Sequence, residues 1–145
     1  MGTCVCKVSL KAIRHSGAFI GDDWVYKISV NEDSHTINGN GDNMQFHPAH
    51  EWNVAGGSCG IPMQLVIAVR AIEEDLMFDD EGTDRARLRI SCPGEDAAEP
   101  VLQMEKTLTA HVTEDRGVST GGTNQVAFDF AIEAWCDTDS DSNAE

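Results

Sequence analysis

The 145-residue chain lacks any apolar run of about eighteen residues, the length a membrane-crossing helix needs, so no such helix is expected. Its start, Met1-Gly2-Thr3-Cys4-Val5-Cys6-Lys7, has no apolar core of a secretory signal. Cys6 also stands where a myristoylation motif after Gly2 carries Ser or Thr. Basic residues are scarce: ten Lys and Arg face 25 Asp and Glu, for a formal charge of −15. A surface so acidic repels nucleic-acid backbones and bare anionic lipid, so no nucleic-acid partner is expected; it suits cations, basic proteins or plain solubility. Cysteine is present only at Cys4, Cys6, Cys59, Cys92 and Cys136, an odd number with no C-x-x-C pair. That excludes a paired zinc site and reads as small buried hydrophobes rather than a disulfide framework, which favours a reducing, cytoplasmic setting.

Catalytic signatures are missing as well. Ser58 lies in Gly57-Ser58-Cys59-Gly60, not in a nucleophile elbow, and no histidine is tied to it. The glycine-rich stretches lack the Lys-Ser/Thr of a phosphate cradle. No enzyme is expected. His47-Pro48-Ala49-His50, with His35 upstream, offers imidazoles that could serve zinc or copper, but Pro48 opposes a helix and the plain reading is a loop.

What is present is alternation. Cys4, Cys6, Val8, Leu10 and Ala12 share one face of a strand, and His15-Ser16-Gly17 should end it. Trp24, Tyr26, Ile28 and Val30 give a second strand, followed by a turn at Asn31–Asp33. Residues 34–60 are poorly patterned, and their Asn-Gly pairs and Gly56-Gly57 predict loops, with a short strand at Met44–His47. Ile61 to Ile72, apolar on both faces, predicts a central strand buried on two sides. Ala86, Leu88 and Ile90 alternate with Arg85, Arg87 and Arg89, a strand with a basic outer face. Two further strands run from 102 to 112, with even positions inward, and through Val126, Phe128, Phe130, Ile132 and Ala134. A glycine-rich loop at 117–123 lies between them. Seven to eight strands without an amphipathic helix predict an all-β chain, an antiparallel β-sandwich domain over residues 1–136. An acidic, disordered tail is expected at 137–145; Asp137-Thr138-Asp139-Ser140-Asp141 opens like an EF-hand loop but has Ser142 where glycine is needed.

The stretch Ala71-Ile72-Glu73-Glu74-Asp75-Leu76-Met77-Phe78-Asp79-Asp80-Glu81-Gly82 is an acidic loop between two predicted strands. Calcium takes six to eight oxygens, from carboxylates, carbonyls and water, at about 2.3–2.6 Å. One loop seldom supplies them all, so the candidate ligands are Asp22 and Asp23 on the first loop with Glu73, Asp75, Asp79 and Asp80 on the second. Gly82 would let the chain turn back.

Ala71-Ile72-Glu73-Glu74-Asp75 followed by Asp79-Asp80-Glu81-Gly82 resembles the third calcium loop of C-two domains (the second conserved region of protein kinase C). Asp23-Trp24-Val25-Tyr26-Lys27-Ile28 is similar to that family's Asp-Pro-Tyr segment, although Trp24-Val25 stands where proline belongs and Glu73 replaces the first aspartate. The resemblance spans the order of elements from about residue 4 to 90 and implies a C-two-like sandwich with calcium at one end. Contact with a partner protein or a calcium-bridged membrane surface would follow. A calcium-independent module, lectin-like or inhibitor-like and using residues 34–60 and 117–123, is the alternative.

Overall fold

In the computed structural model, which describes residues 2–21, 23–40, 45–75, 79–115 and 120–138, the chain forms nine strands. They are β1 (Thr3–Gly17), β2 (Asp23–Val30), β3 (Asp33–Asn40), β4 (Gln45–Phe46), β5 (His50–Ser58), β6 (Met63–Glu73), β7 (Asp80–Ile90), β8 (Val101–Asp115) and β9 (Thr120–Asp137). One sheet runs β4-β1-β9-β8, with β5 also on β1; the other runs β3-β2-β6-β7. Every pairing is antiparallel. The expected antiparallel β-sandwich is therefore what the chain adopts.

The core lies between the two inner faces. Cys6, Val8 and Leu10 on β1 and Val126, Phe128, Phe130, Ile132 and Ala134 on β9 meet Trp24, Tyr26, Ile28 and Val30 on β2 and Leu65, Ile67, Val69 and Ala71 on β6. Period-two alternation places these residues inward without any further device. Asn31 and Glu32 both take positive φ (45° and 74°), so β2 and β3 are joined by a two-residue turn of the kind whose twist matches the strands.

Several expectations give way. β1 does not stop at His15: a register shift between Leu10 and Ala12 marks a bulge, after which Ile13 is buried and His15 half-buried. Within residues 34–60 the short strand expected at Met44–His47 is β4, while β3 and β5 stand where the sequence predicts loops. Gly39 sits within β3 because the Tyr26 ring occupies the space a side chain would need; an added Cβ would lie 2.7 Å from Tyr26 Cε2. Gly56, within β5, is likewise crowded by Cys4 and Met63, each 3.0 Å from an added Cβ. β6 is buried along its inner row from Leu65 onward, but its outer row is mixed, with Gln64 and Arg70 exposed, Val66 and Ala68 half-buried and Ile72 buried. Thr120–Thr123 belong to β9, and the rest of the predicted 117–123 loop, like residues 139–145 of the tail, falls outside the described residues.

The cysteines are corrected too. Cys4–Cys92 and Cys59–Cys136 are disulfides, with Cα–Cα distances of 6.0 and 5.5 Å, and only Cys6 is a free, buried thiol. Their partners are 88 and 77 residues apart, a pairing that topology creates and spacing does not reveal. Disulfides persist in oxidising surroundings, so the cytoplasmic expectation loses its ground. Both bridges lie at one end of the sandwich, where β1 starts and β5, β7 and β9 finish.

Candidate functional site

The opposite end gathers the finish of β1, the starts of β2 and β7, and the finish of β6. The acidic connection there is shorter than the sequence implies. Residues 71–73 complete β6 and residues 80–82 already belong to β7, with Glu73 paired to Asp80 and Ala71 to Gly82. Gly82 does not turn the chain; it lets β7 lie against the backbone of His111 on β8, a contact an added Cβ would block.

Strand phase fixes the role of Glu73. It follows Leu65, Ile67, Val69 and Ala71 on the inward row, so its carboxylate ends the core rather than projecting into a loop. Glu73 is 4% exposed and its Oε2 has no hydrogen-bond partner among the described residues. Gly21 passes directly over the carboxylate, since an added Cβ there would collide with it. Burial pushes the Glu73 carboxyl up to about 7, and the negative charges of Asp75, Asp80, Glu114 and Asp23 add to the rise. The combined field of these acids at Glu73 disfavours its bare negative charge and favours a proton or another cation.

The first loop is held against this seat by backbone and ring contacts. Glu74 N–H donates to the Asp23 carbonyl at 2.7 Å, so the two acidic segments do arrive together. Trp24 Nε1–H donates to the Gly21 carbonyl at 3.1 Å. Buried Asn124 donates from Nδ2 to the Ala18 carbonyl at 2.8 Å, which leaves its Oδ1 to accept from His15 Nδ1–H at 2.8 Å. His15 Nε2 then accepts the Tyr26 hydroxyl. Burial lowers the His15 pKa, which keeps the neutral ring this chain of bonds requires.

Of the six predicted ligands, Asp23, Asp75 and Asp80 act on Glu73 through their charge. Asp80 is buried, whereas Asp23 and Asp75 are exposed. Asp79 is exposed and accepts from Asp75 N–H at 3.2 Å, closing the loop on itself. Asp22 falls outside the described residues. Glu114 is the acid the sequence reading passed over. It extends the even, inward row of β8 (Leu108, Ala110, Val112) by one step, and that phase is the signal that marks it. Among the described residues, no three His, Cys, Asp or Glu side chains lie close enough to hold a metal ion between them.

The histidines lie elsewhere. His35 on β3 and His50 on β5 stack with ring centroids 3.6 Å apart, beside Trp52, bridging an edge of each sheet. His47 Nδ1 bonds the Lys11 carbonyl.

No family model matches the chain, and no curated protein matches it. Among solved structures it is similar to human GIVD cytosolic phospholipase A2, with a TM-score of 0.48 and 13% identity over 92% of this chain. It is also similar to that enzyme in complex with methyl gamma-linolenyl fluorophosphonate inhibitor and terbium chloride, with a TM-score of 0.47 and 12% identity over 92% of this chain. A third is a C2 domain, with a TM-score of 0.43 and 12% identity over 93% of this chain and 99% of that one. The chain spans 15% and 17% of the two phospholipase chains. At these scores the sandwich is read from its own two sheets, and the likenesses assign it no site.

Proposed function

We propose that the chain is a calcium-binding interaction module, without catalytic activity of its own, whose acidic end takes up calcium and then contacts a partner protein or a membrane surface. The observation that carries this reading is Glu73: a buried carboxylate with one oxygen that has no partner among the described residues, acted on by the charge of four further acids. Hard oxygen donors of this kind suit calcium rather than a transition metal. Asp80 and Glu73 would supply the inner oxygens and the exposed Asp23, Asp75 and Asp79 the outer ones. Asp79 accepts the Asp75 N–H through Oδ1 alone, so its Oδ2 would remain open to the ion.

A bound divalent ion would neutralise the cluster and fix the two segments against one another. It would also offer open coordination positions to a carboxylate or phosphate of the partner. With a formal charge of −15, the calcium-free protein would be repelled by an anionic surface, so membrane contact would depend on the ion.

Isothermal calorimetry with calcium tests the reading. Binding is expected for the unaltered protein and its loss for Asp75→Asn combined with Asp79→Asn. Absence of a calcium heat in the unaltered protein would refute it. Vesicle co-sedimentation with and without calcium then separates the membrane partner from a protein partner.

A further inference from the structure

The β3-β2-β6-β7 sheet turns its outer face to solvent and carries half of the chain's cations on it. Lys27 on β2, Arg70 on β6 and Arg85, Arg87 and Arg89 on β7 are five of the ten Lys and Arg, and all five are exposed. Register sets them in an array: Lys27 lies opposite Arg70, and Arg85, Arg87 and Arg89 lie opposite Ala68, Val66 and Gln64. The small residues between them floor two shallow grooves. One is lined by Lys27, Ser29, Ala68, Arg70, Thr83 and Arg85; the next by Pro62, Gln64, Arg87 and Arg89.

Acids outnumber bases 25 to ten in this chain, yet among the described residues the acids that border these grooves are three: Glu32 beside Arg85, Glu81 and Asp84. Arg70 pairs with Glu81 at 2.5 Å. Asp84, at the groove wall, already accepts from Thr109 N–H and Arg85 N–H. Lys27, Arg85, Arg87 and Arg89 form no ion pair among the described residues.

We propose that this face docks an extended acidic segment of a partner protein, its carboxylates seated along the arginine row. Alternate residues of a strand are about 6.8 Å apart, so carboxylates at every second position of an extended peptide meet Arg85, Arg87 and Arg89 in step. A guanidinium offers a planar fork that matches a carboxylate through two parallel hydrogen bonds. Charge range favours a peptide over a bilayer. An anionic membrane meets the field of the whole molecule at −15. A peptide in the groove feels chiefly the cations within a Debye length, about 8 Å at physiological salt. The arginines lie toward the disulfide end of β7, away from Glu73, so the surface is independent of the calcium reading.

The test uses the full chain in EGTA and a fluorescein-labelled peptide of alternating glutamate and serine, read by fluorescence anisotropy. The unaltered protein is expected to bind, with affinity falling as salt rises. R85Q/R87Q/R89Q is expected to bind at least about tenfold more weakly, since several charge-assisted contacts are lost together. K7Q/K11Q, on the other sheet, is expected to bind as the unaltered protein does. Arg87→Gln alone, checked for an unchanged melting temperature, gives a smaller loss and guards against a misfolded triple variant. No peptide binding by the unaltered protein, or equal binding by the triple variant, would overturn the proposal. So would calcium-free binding to phosphatidylserine vesicles through the same arginines with no peptide binding, which would assign the face to lipid.

Discussion

At the scale of single residues, Glu73 concentrates the account. Its folded pKa of about 7 lies above the ordinary 4.5, so the folded state holds this proton more tightly than the unfolded chain does. The stabilising contribution is fully present below about 4.5 and is lost as pH rises through about 7, amounting to on the order of 3 kcal/mol at most. His15 and His50 act in the opposite sense, because their pKa values are lowered and their contribution fades as pH falls through about 6.5. The clean comparison is therefore between the unaltered protein and Glu73→Gln. In calcium-free urea denaturation the variant should gain stability relative to the unaltered protein between pH 5 and pH 8; a difference independent of pH would contradict the burial and charge ascribed to this carboxyl.

Gly39 makes a second residue-scale prediction. Tyr26 is packed by Trp24, Phe46 and Phe128 and hydrogen-bonded to His15, so its ring cannot yield to a new methyl group. Gly39→Ala should lower stability by about 1–3 kcal/mol, measured by chemical denaturation, and an unchanged midpoint would show that β3 can move aside.

At the scale of elements, the two disulfides hold the end of the sandwich remote from Glu73. Gly2 is packed against Cys59–Cys136, where an added Cβ would approach both sulfurs within 2.7 Å. Cys59→Ala with Cys136→Ala should cost about 2–5 kcal/mol in thermal or urea unfolding while leaving the calcium response in place. Loss of that response would mean the two ends are coupled through the sheets.

The strands that could be read from the chain are those in which alternation alone decides, such as β2, β8 and β9. β3 and β5 escaped because Gly39 and Gly56 look like loop residues until Tyr26 and Cys4 are seen to fill their space. The bulge in β1 and the Cys4–Cys92 and Cys59–Cys136 pairs depend on which strands lie side by side, and no local spacing encodes that. The acidic candidates were legible as a group, and Asp23 does reach the second segment. What could not be read was where the strands end: β6 runs to Glu73 and β7 starts at Asp80, which buries both and leaves Asp75 exposed beyond the strand.

At the scale of the whole molecule, two regions of opposite charge stand apart on the sandwich. Carboxylates crowd one end, while five of the ten cations share the outer face of one sheet. The first arrangement suits a cation and the second an anionic partner, and the two regions can be altered separately. R85Q/R87Q/R89Q should leave the calcium heat unchanged, whereas Asp75→Asn with Asp79→Asn should leave peptide binding in EGTA unchanged.

The most direct test of the central claim is the melting temperature at pH 7.5 with excess calcium and with EGTA. A ligand at a hundredfold its dissociation constant stabilises by about 2.7 kcal/mol, which for a chain of this size is a rise of roughly 5–10 °C. The account predicts such a rise in the unaltered protein and little or none in Glu73→Gln. Equal melting temperatures with calcium and EGTA in the unaltered protein, or an undiminished rise in the variant, would contradict it.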